Sequence, residues 1–425
     1  MNTQQDQGRG ALTRRRFVTG ATAAAAGGTL MGVLAKRAFA EPSVPSVPLG
    51  TQPASLPVRQ FAWADYLSTD QYGNPNAPHH DRLLFFDVRG RPTPAHARLL
   101  ESRLRTLERH YEWSHTGLLF TVSWGPSYFK LIRQPSPVPY PGALSTFERP
   151  AIDRHDLCIH LASDNEALLA ELDAGLSHGR AVAGIKGSLS LAQALVWRET
   201  RVGFTGAGIP AAHQDVRGIP SGNPVAATAP LFMGFKSGFK KNLATEDDIV
   251  IESGPFKEGT TMHVSYMSET LQQWYGTFSD QDRIARMYSP ETTPAGVAAL
   301  TDDALSNAGQ IATAMKQYGV VGHSQATAQA RRNGKPIIIR RDFNTVDYGQ
   351  AGLHFVSVQR TYEDLVVTRN AMNANGAHLV NRKITATKNN GINAFIDVRR
   401  RANYVIPSRR DRSFPLLPGR AAATA

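Results

Sequence analysis

The chain has 425 residues with a formal net charge of +12, 41% of them hydrophobic and 19% charged, enough for one large or two moderate cores. No run of basic residues is interleaved with aromatics, so the positive excess reads as ordinary surface charge and argues against a nucleic-acid partner. Cys158 is the only cysteine, which excludes an intrachain disulfide, a cysteine-based zinc site and an iron–sulfur cluster.

The chain opens on a targeting pattern. Thr13-Arg14-Arg15-Arg16-Phe17-Val18 is a twin-arginine motif, followed by a weakly apolar Ala/Gly-rich stretch and a small-x-small cleavage site, Ala38-Phe39-Ala40. Glycines and the shortage of bulky residues argue against a permanent membrane helix. Residues 1–40 are therefore expected to be a signal peptide for the twin-arginine export machinery, with the mature protein periplasmic or extracellular and in contact with a membrane only during export. That segment holds six Lys/Arg and one acid, so the mature chain carries +12 minus +5, or +7. The twin-arginine route carries folded proteins, which allows a cofactor to be inserted before export. Residues 41–57 are Pro-rich and read as an extended tether.

Strands and helices then alternate. Leu83–Val88 reads as a strand, and Thr93-Pro94 opens a helix with Leu99, Leu100, Leu104 and Leu107 on one stripe. Strands are expected at Gly117–Trp124 and Leu157–Leu161, where Cys158 packs as a small hydrophobe. Ser163-Asp-Asn-Glu166 has the form of a capping box for a helix through Leu176. Leu191–Trp197 is a further short element, and Gly and Pro cluster between Gly203 and Pro230 at a crossing between halves.

A second half repeats the alternation. A strand is expected at Thr260–Tyr266 and helices at Glu269–Tyr275, Gln281–Met287 and Asp303–Tyr318. Strands follow at Pro336–Arg341 and Leu353–Gln359, and a helix at Tyr362–Met372. The succession predicts an α+β fold, with helices packed on mainly antiparallel sheets. Two related modules, 58–240 and 241–415, are suggested without any clear sequence repeat between them.

The residues richest in chemistry lie at 322–344. His323 follows a predicted helix, and Arg340 ends an Ile-Ile-Ile run that reads as a strand. A neutral imidazole is a good axial ligand for haem iron, and a guanidinium across the haem can stabilise charge as a peroxide bond breaks. Alone, each has a plainer reading: a histidine at a helix end and an arginine where a strand meets solvent. Arg341 is a rival to Arg340 only if the register slips by one, since adjacent strand residues face opposite ways. His263 and His354 lie on strand patterns, where packed histidines are expected. There is no phosphate-loop pattern, no Gly-x-Ser-x-Gly elbow and no His-Glu-x-x-His.

This segment resembles the haem-binding segment of dye-decolourising (Dyp-type) peroxidases. Four further fragments resemble the same family in the same order, so that the likeness spans about residues 80–375. They are Gly117–Phe129, Asp156–Ser163, Met233-Gly-Phe-Lys-Ser-Gly238 with the following Trp274, and Gly352–Gln359. The resemblance implies two ferredoxin-like modules in a dimeric α/β-barrel-like arrangement, with haem b against the C-terminal module. It implies His323 as the iron ligand and Arg340 as the distal arginine. Phe235 and Gly238 are placed in the distal haem loop, Asn344 as a hydrogen-bonding residue over the distal face, and Leu353 and Phe355 as its apolar wall. The substrates it implies are hydrogen peroxide and a small organic electron donor. A homo-oligomer is compatible with the sequence and not required by it.

The sequence departs from the family at Ser237. The family's distal loop ends Asp-Gly, with the aspartate placed to move a proton between the peroxide oxygens; here it ends Ser237-Gly238. Serine is a poor general base. Either Ser237 holds a water that relays the proton, or Glu246, Asp247 or Asp248 folds back over the pocket, or peroxide chemistry is slow or lost. The acid that usually bonds the ligand histidine has no counterpart in the acid-poor stretch after Met372, and the C-terminal arginines (399–401, 409–410) also depart from the family pattern. The expected function is an exported haem peroxidase. The alternatives are a haem carrier or sensor on the same scaffold, or a scaffold without cofactor.

Overall fold

The computed structural model describes residues 56–294, 297 and 310–419. The expected signal peptide, nearly all of the tether and the first part of the Asp303–Tyr318 helix lie outside the described residues. No helix among the described residues is long and apolar enough to cross a membrane.

The first half runs β1 (His80–Val88), α1 (Pro94–His110), β2 (Leu119–Trp124), β3 (Leu157–Ser163), α2 (Glu166–His178) and β4 (Leu195–Phe204). The second runs β5 (Thr260–Glu269), α3 (Asp280–Met287), α4 (His323–Thr327), β6 (Ile338–Arg340), β7 (Phe343–Thr345), β8 (Gly352–Gln359), α5 (Tyr362–Asn373) and β9 (Ile396–Ile406). The strand orders are β4-β1-β3-β2 and β9-β5-β8-β6, the same order in both halves and that of a ferredoxin-like unit. Pairing of β2 with β9 joins the halves on one side, and β7 pairs with both β4 and β8 on the other. The sheet thus closes into a barrel. All pairings in it are antiparallel except that of the two-residue strand Ala151–Ile152 with β9.

The sequence explains why the strands hold this place. Leu83 to Phe86 is a continuous apolar run because both faces are covered. Leu84 and Phe86 join a core with Leu100, Leu104 and Leu107 of α1 and Leu168, Leu169 and Leu172 of α2. Leu83 and Phe85 point the other way, into the barrel, where they meet Cys158, Met262, Val264, Val356, Val358 and Tyr404. Each fully buried leucine contributes about 2 kcal/mol. β5 has only its inner face of this kind; its outer face carries His263, Ser265, Met267 and Glu269.

Several boundaries differ from the sequence expectation. The cap of α2 is Asn165, whose Oδ1 accepts from Leu168 N at 3.1 Å, because Ser163 is still in β3, opposite His80. The Leu191–Trp197 element is the ten-residue β4; its charged residues disguised it, and Arg201 is buried in it against Asp153 at 2.6 Å. β5 continues through Glu269, and the helix expected from there begins at Gln272. Lys335–Pro336 pairs with Arg331–Arg332 in a separate hairpin, so the strand bearing Arg340 begins only at Ile338. β7 and β9 were not expected.

Candidate functional site

A cavity enclosing about 1180 Å³ of empty space, part of it open to solvent, lies against the outer face of the second half-sheet. Strand alternation builds one wall: His263, Ser265, Met267 and Glu269 of β5, beside Leu353 and Phe355 of β8. In register, Met267 faces Leu353, Ser265 faces Phe355 and His263 faces Ser357, which in turn faces Arg340 of β6. The opposite wall is helical: His323, Ser324 and Thr327 of α4, and Leu365, Thr368, Arg369 and Met372 of α5. The α5 residues recur at helical spacing, so one face of that helix lines the cavity. The loop at 231–239 covers an edge with Leu231, Met233, Phe235, Lys236, Ser237 and Phe239.

His323 is the first residue of α4. The chain reaches it through Gly322, where a Cβ would lie 1.8 Å from the Tyr288 carbonyl oxygen, so only glycine fits. Burial, then the Arg340 and Arg369 cations, push the imidazole down to about 3. It is therefore neutral at pH 7, the form that binds a metal. Its buried Nδ1 has no hydrogen-bond partner among the described residues. The rival histidines are committed elsewhere. His263 also lines the cavity, but Nδ1 bonds Asn403 Oδ1 and Nε2 bonds Ser265 Oγ, both at 2.7 Å. His354 is buried off the cavity and bonds Asp347 at 2.9 Å. A neutral, half-buried imidazole in an apolar cavity, with cations on the walls, suits a flat anionic macrocycle bound through a metal.

Arg340 reaches the cavity, and no hydrogen bond or ion pair engages its guanidinium among the described residues. Burial lowers its pKa and the nearby Asp342 partly restores it. Arg341 points to the other face, donating to the Phe61 carbonyl with its guanidinium 3.8 Å from the Trp63 ring centre. The alternation excludes the rival register. Asp342 returns to the cavity, and Ser237 Oγ donates to its Oδ1 at 3.3 Å.

The expected site residues are mostly brought together: His323, Arg340, Ser237, Phe235, Leu353 and Phe355 all line the cavity. Two are not among its lining residues. Gly238 turns the loop at φ +83°. Asn344 is fully buried, accepting from Phe232 N at 2.8 Å and donating to the Phe204 carbonyl at 3.1 Å. Its amide is consumed in fastening the loop to β4, which corrects its expected place over the distal face. Of the alternatives for the missing aspartate, the folding back of Glu246, Asp247 or Asp248 does not occur. Glu246 accepts from the Trp63 and Ala64 backbone at 2.6 and 2.9 Å. Asp247 pairs with Arg59, and Asp248 pairs with Lys335 at 2.9 Å.

Three features escaped sequence reasoning. Asp342 belongs to no motif of its own; its i, i+2 relation to Arg340 is the signal that marks it. Glu148 of the first half is buried and accepts from Arg369 at 2.5 Å and Arg401 at 2.9 Å, holding two of the three arginines that line the cavity. Arg401 lies on β9, whose alternating apolar residues were masked by three consecutive arginines. Glu269 is 2% exposed, its Oε2 has no partner among the described residues, and burial pushes its carboxyl up to about 8.

A family model described as a family of unknown function, DUF7405, matches residues 78–408. No curated protein matches the sequence. Among solved structures, the chain is similar to DypB from Rhodococcus jostii RHA1, with 13% identity and a TM-score of 0.51, covering 80% of this chain and 96% of that one. It is similar also to an aspartate-to-histidine variant of that protein in complex with heme, with 13% identity and a TM-score of 0.52, covering 81% and 97%. At this identity the likeness is one of fold: the barrel is that of Dyp-type peroxidases.

Proposed function

The chain belongs to that family of unknown function, and we propose that it is a haem-dependent peroxidase reducing hydrogen peroxide at the expense of an organic donor. The observation that carries this reading is the cavity itself: His323, a half-buried neutral imidazole, and Arg340 line it together, on a Dyp-type barrel. His323 would hold the iron, and the cavity's cationic side chains would balance the macrocycle's carboxylates. The chain has no Cys-x-x-Cys-His attachment motif, so the haem would be the non-covalent b type. Haem, when bound, supplies the two electrons that reduce peroxide, and the donor returns them singly. The work left to the chain is electrostatic. Arg340 stabilises negative charge on the departing oxygen, in a cavity where burial strengthens that interaction. Leu353 and Phe355 exclude water from the same face.

The test is stopped-flow absorbance on haem-loaded protein mixed with hydrogen peroxide. A rapid change in the haem spectrum that reverses when a reducing dye is added is expected. A haem spectrum indifferent to peroxide would favour the second reading, a haem carrier or sensor. One observation favours that reading: among the described residues no acid bonds His323 Nδ1, and such a partner raises a ligand histidine's basicity.

Export by the twin-arginine route belongs to the proposal and rests on Arg14-Arg15-Arg16 with Ala38-Phe39-Ala40. Cell fractionation of the full chain should find it outside the cytoplasm, and replacing the three arginines by lysine should retain it inside. Equal export of both would overturn the assignment.

A further inference from the structure

We propose that Asp342 is the acid–base group of this cavity, held in place by Ser237. The inference rests on the peroxidase reading above and assigns the proton transfer that Ser237 cannot perform.

Three observations carry it. First, Arg340 and Asp342 are two residues apart on an extended segment and both line the cavity, while Arg341 between them is turned to the other face. The charge-stabilising cation and the carboxylate thus come from one strand end. Second, the hydroxyl of Ser237 donates to Asp342 Oδ1 at 3.3 Å. The loop that lost its own carboxylate therefore holds one from the neighbouring strand, a single hydrogen bond away. Third, Asp342 has no ion pair among the described residues, and the other acids are excluded. Glu246, Asp247 and Asp248 are bound elsewhere. Glu269 lines the cavity but lies six residues along β5 from His263, which shares Arg340's row, or about 20 Å at the usual rise per residue.

The step balances as follows. Asp342 takes the proton from one peroxide oxygen and gives it to the other. The O–O bond breaks with its electron pair going to that second oxygen, which leaves as water with its own proton and the transferred one. The first oxygen would become the second water with two protons and two electrons, which bound haem would supply and two donor molecules would replace.

The experiment compares haem-loaded wild-type protein with Asp342→Asn, Ser237→Ala and the double variant Asp342→Asn/Ser237→Asp. Asp247→Asn, an exposed position, is the control. Three quantities are read: haem uptake, the rate constant with hydrogen peroxide, and the association rate of cyanide, which as hydrogen cyanide must lose a proton to bind. Asp342→Asn should keep haem and lose about 10²–10⁴-fold in the peroxide rate, with slower cyanide binding. The double variant should regain much of both, since a carboxylate returns one hydrogen bond away. A peroxide rate for Asp342→Asn near the wild-type value, with haem bound, overturns this assignment and leaves the peroxidase reading standing. No haem uptake by the wild type overturns both. Should Asp342→Asn fail to load, Ser237→Ala decides: a slowing of about tenfold is expected from the lost hydrogen bond, and an unchanged rate overturns the proposal.

Discussion

Replacing Glu148 by glutamine tests whether the cavity wall depends on a carboxylate from the other half of the chain. Glu148 is 1% exposed and accepts hydrogen bonds from two buried arginines, Arg369 and Arg401. Glutamine keeps the shape, removes the charge and presents an amide donor where an acceptor is needed. Breaking a buried pair in this way costs about 3–5 kcal/mol, because it leaves buried charge uncompensated. An unfolding entropy of about 2.1 cal/mol/K per residue over about 350 ordered residues gives roughly 0.7 kcal/mol per degree, so the midpoint should fall by about 4–7 °C. Circular dichroism melts at pH 7 would measure it. The pH dependence is a second check. Burial alone would raise the Glu148 pKa, but Arg369 and Arg401 outweigh it and hold the carboxyl below its ordinary 4.5. The stabilisation is therefore fully present above that value and is lost as pH falls through the lower folded value. The gap between wild type and variant should close in strong acid. An unchanged midpoint at pH 7 would refute the reasoning.

Three other outcomes follow from the same geometry. Arg340→Ala should retain haem yet slow the peroxide reaction by about 10²–10³-fold, the loss typical of one charge-stabilising donor; stopped-flow rates check it. Glu269, pushed up to about 8 by burial, stays protonated in the folded protein while its unfolded counterpart ionises near 4.5. Wild-type stability should therefore decline between these values as pH rises, and Glu269→Gln should lessen that decline, as urea unfolding at pH 5 and pH 8 would reveal. Asn344→Ala leaves the Phe232 N–H and Phe204 carbonyl unsatisfied. It should destabilise the protein by about 1–3 kcal/mol, read as a lower denaturant midpoint, and loosen the loop carrying Ser237, read as faster amide exchange.

Much of the site was legible because it depends on period. An alternating strand requires Arg340 and Arg341 to face opposite ways, the resemblance picks Arg340 for the cavity, and the structure turns Arg341 onto Trp63. The His323 segment was legible only through family resemblance, since a lone histidine at a helix start carries no such signal. The illegible parts share one physical cause: charged residues buried against partners distant in sequence. Arg201 in β4 is matched by Asp153, and Arg401 in β9 by Glu148, 253 positions away. Hydrophobic periodicity cannot register a strand whose buried residues are paired ions. Asn344 misled for the converse reason. Its residue type fitted a site role, but its amide satisfies two backbone groups.

The central claim is that His323 holds haem. Haem titrated into the purified wild-type protein and into His323→Ala, followed by absorbance, addresses it directly. The account predicts stoichiometric uptake with a histidine-ligated spectrum by the wild type, and its loss in a variant that remains folded by circular dichroism. An unchanged spectrum in His323→Ala, or no uptake by the wild type, would contradict it.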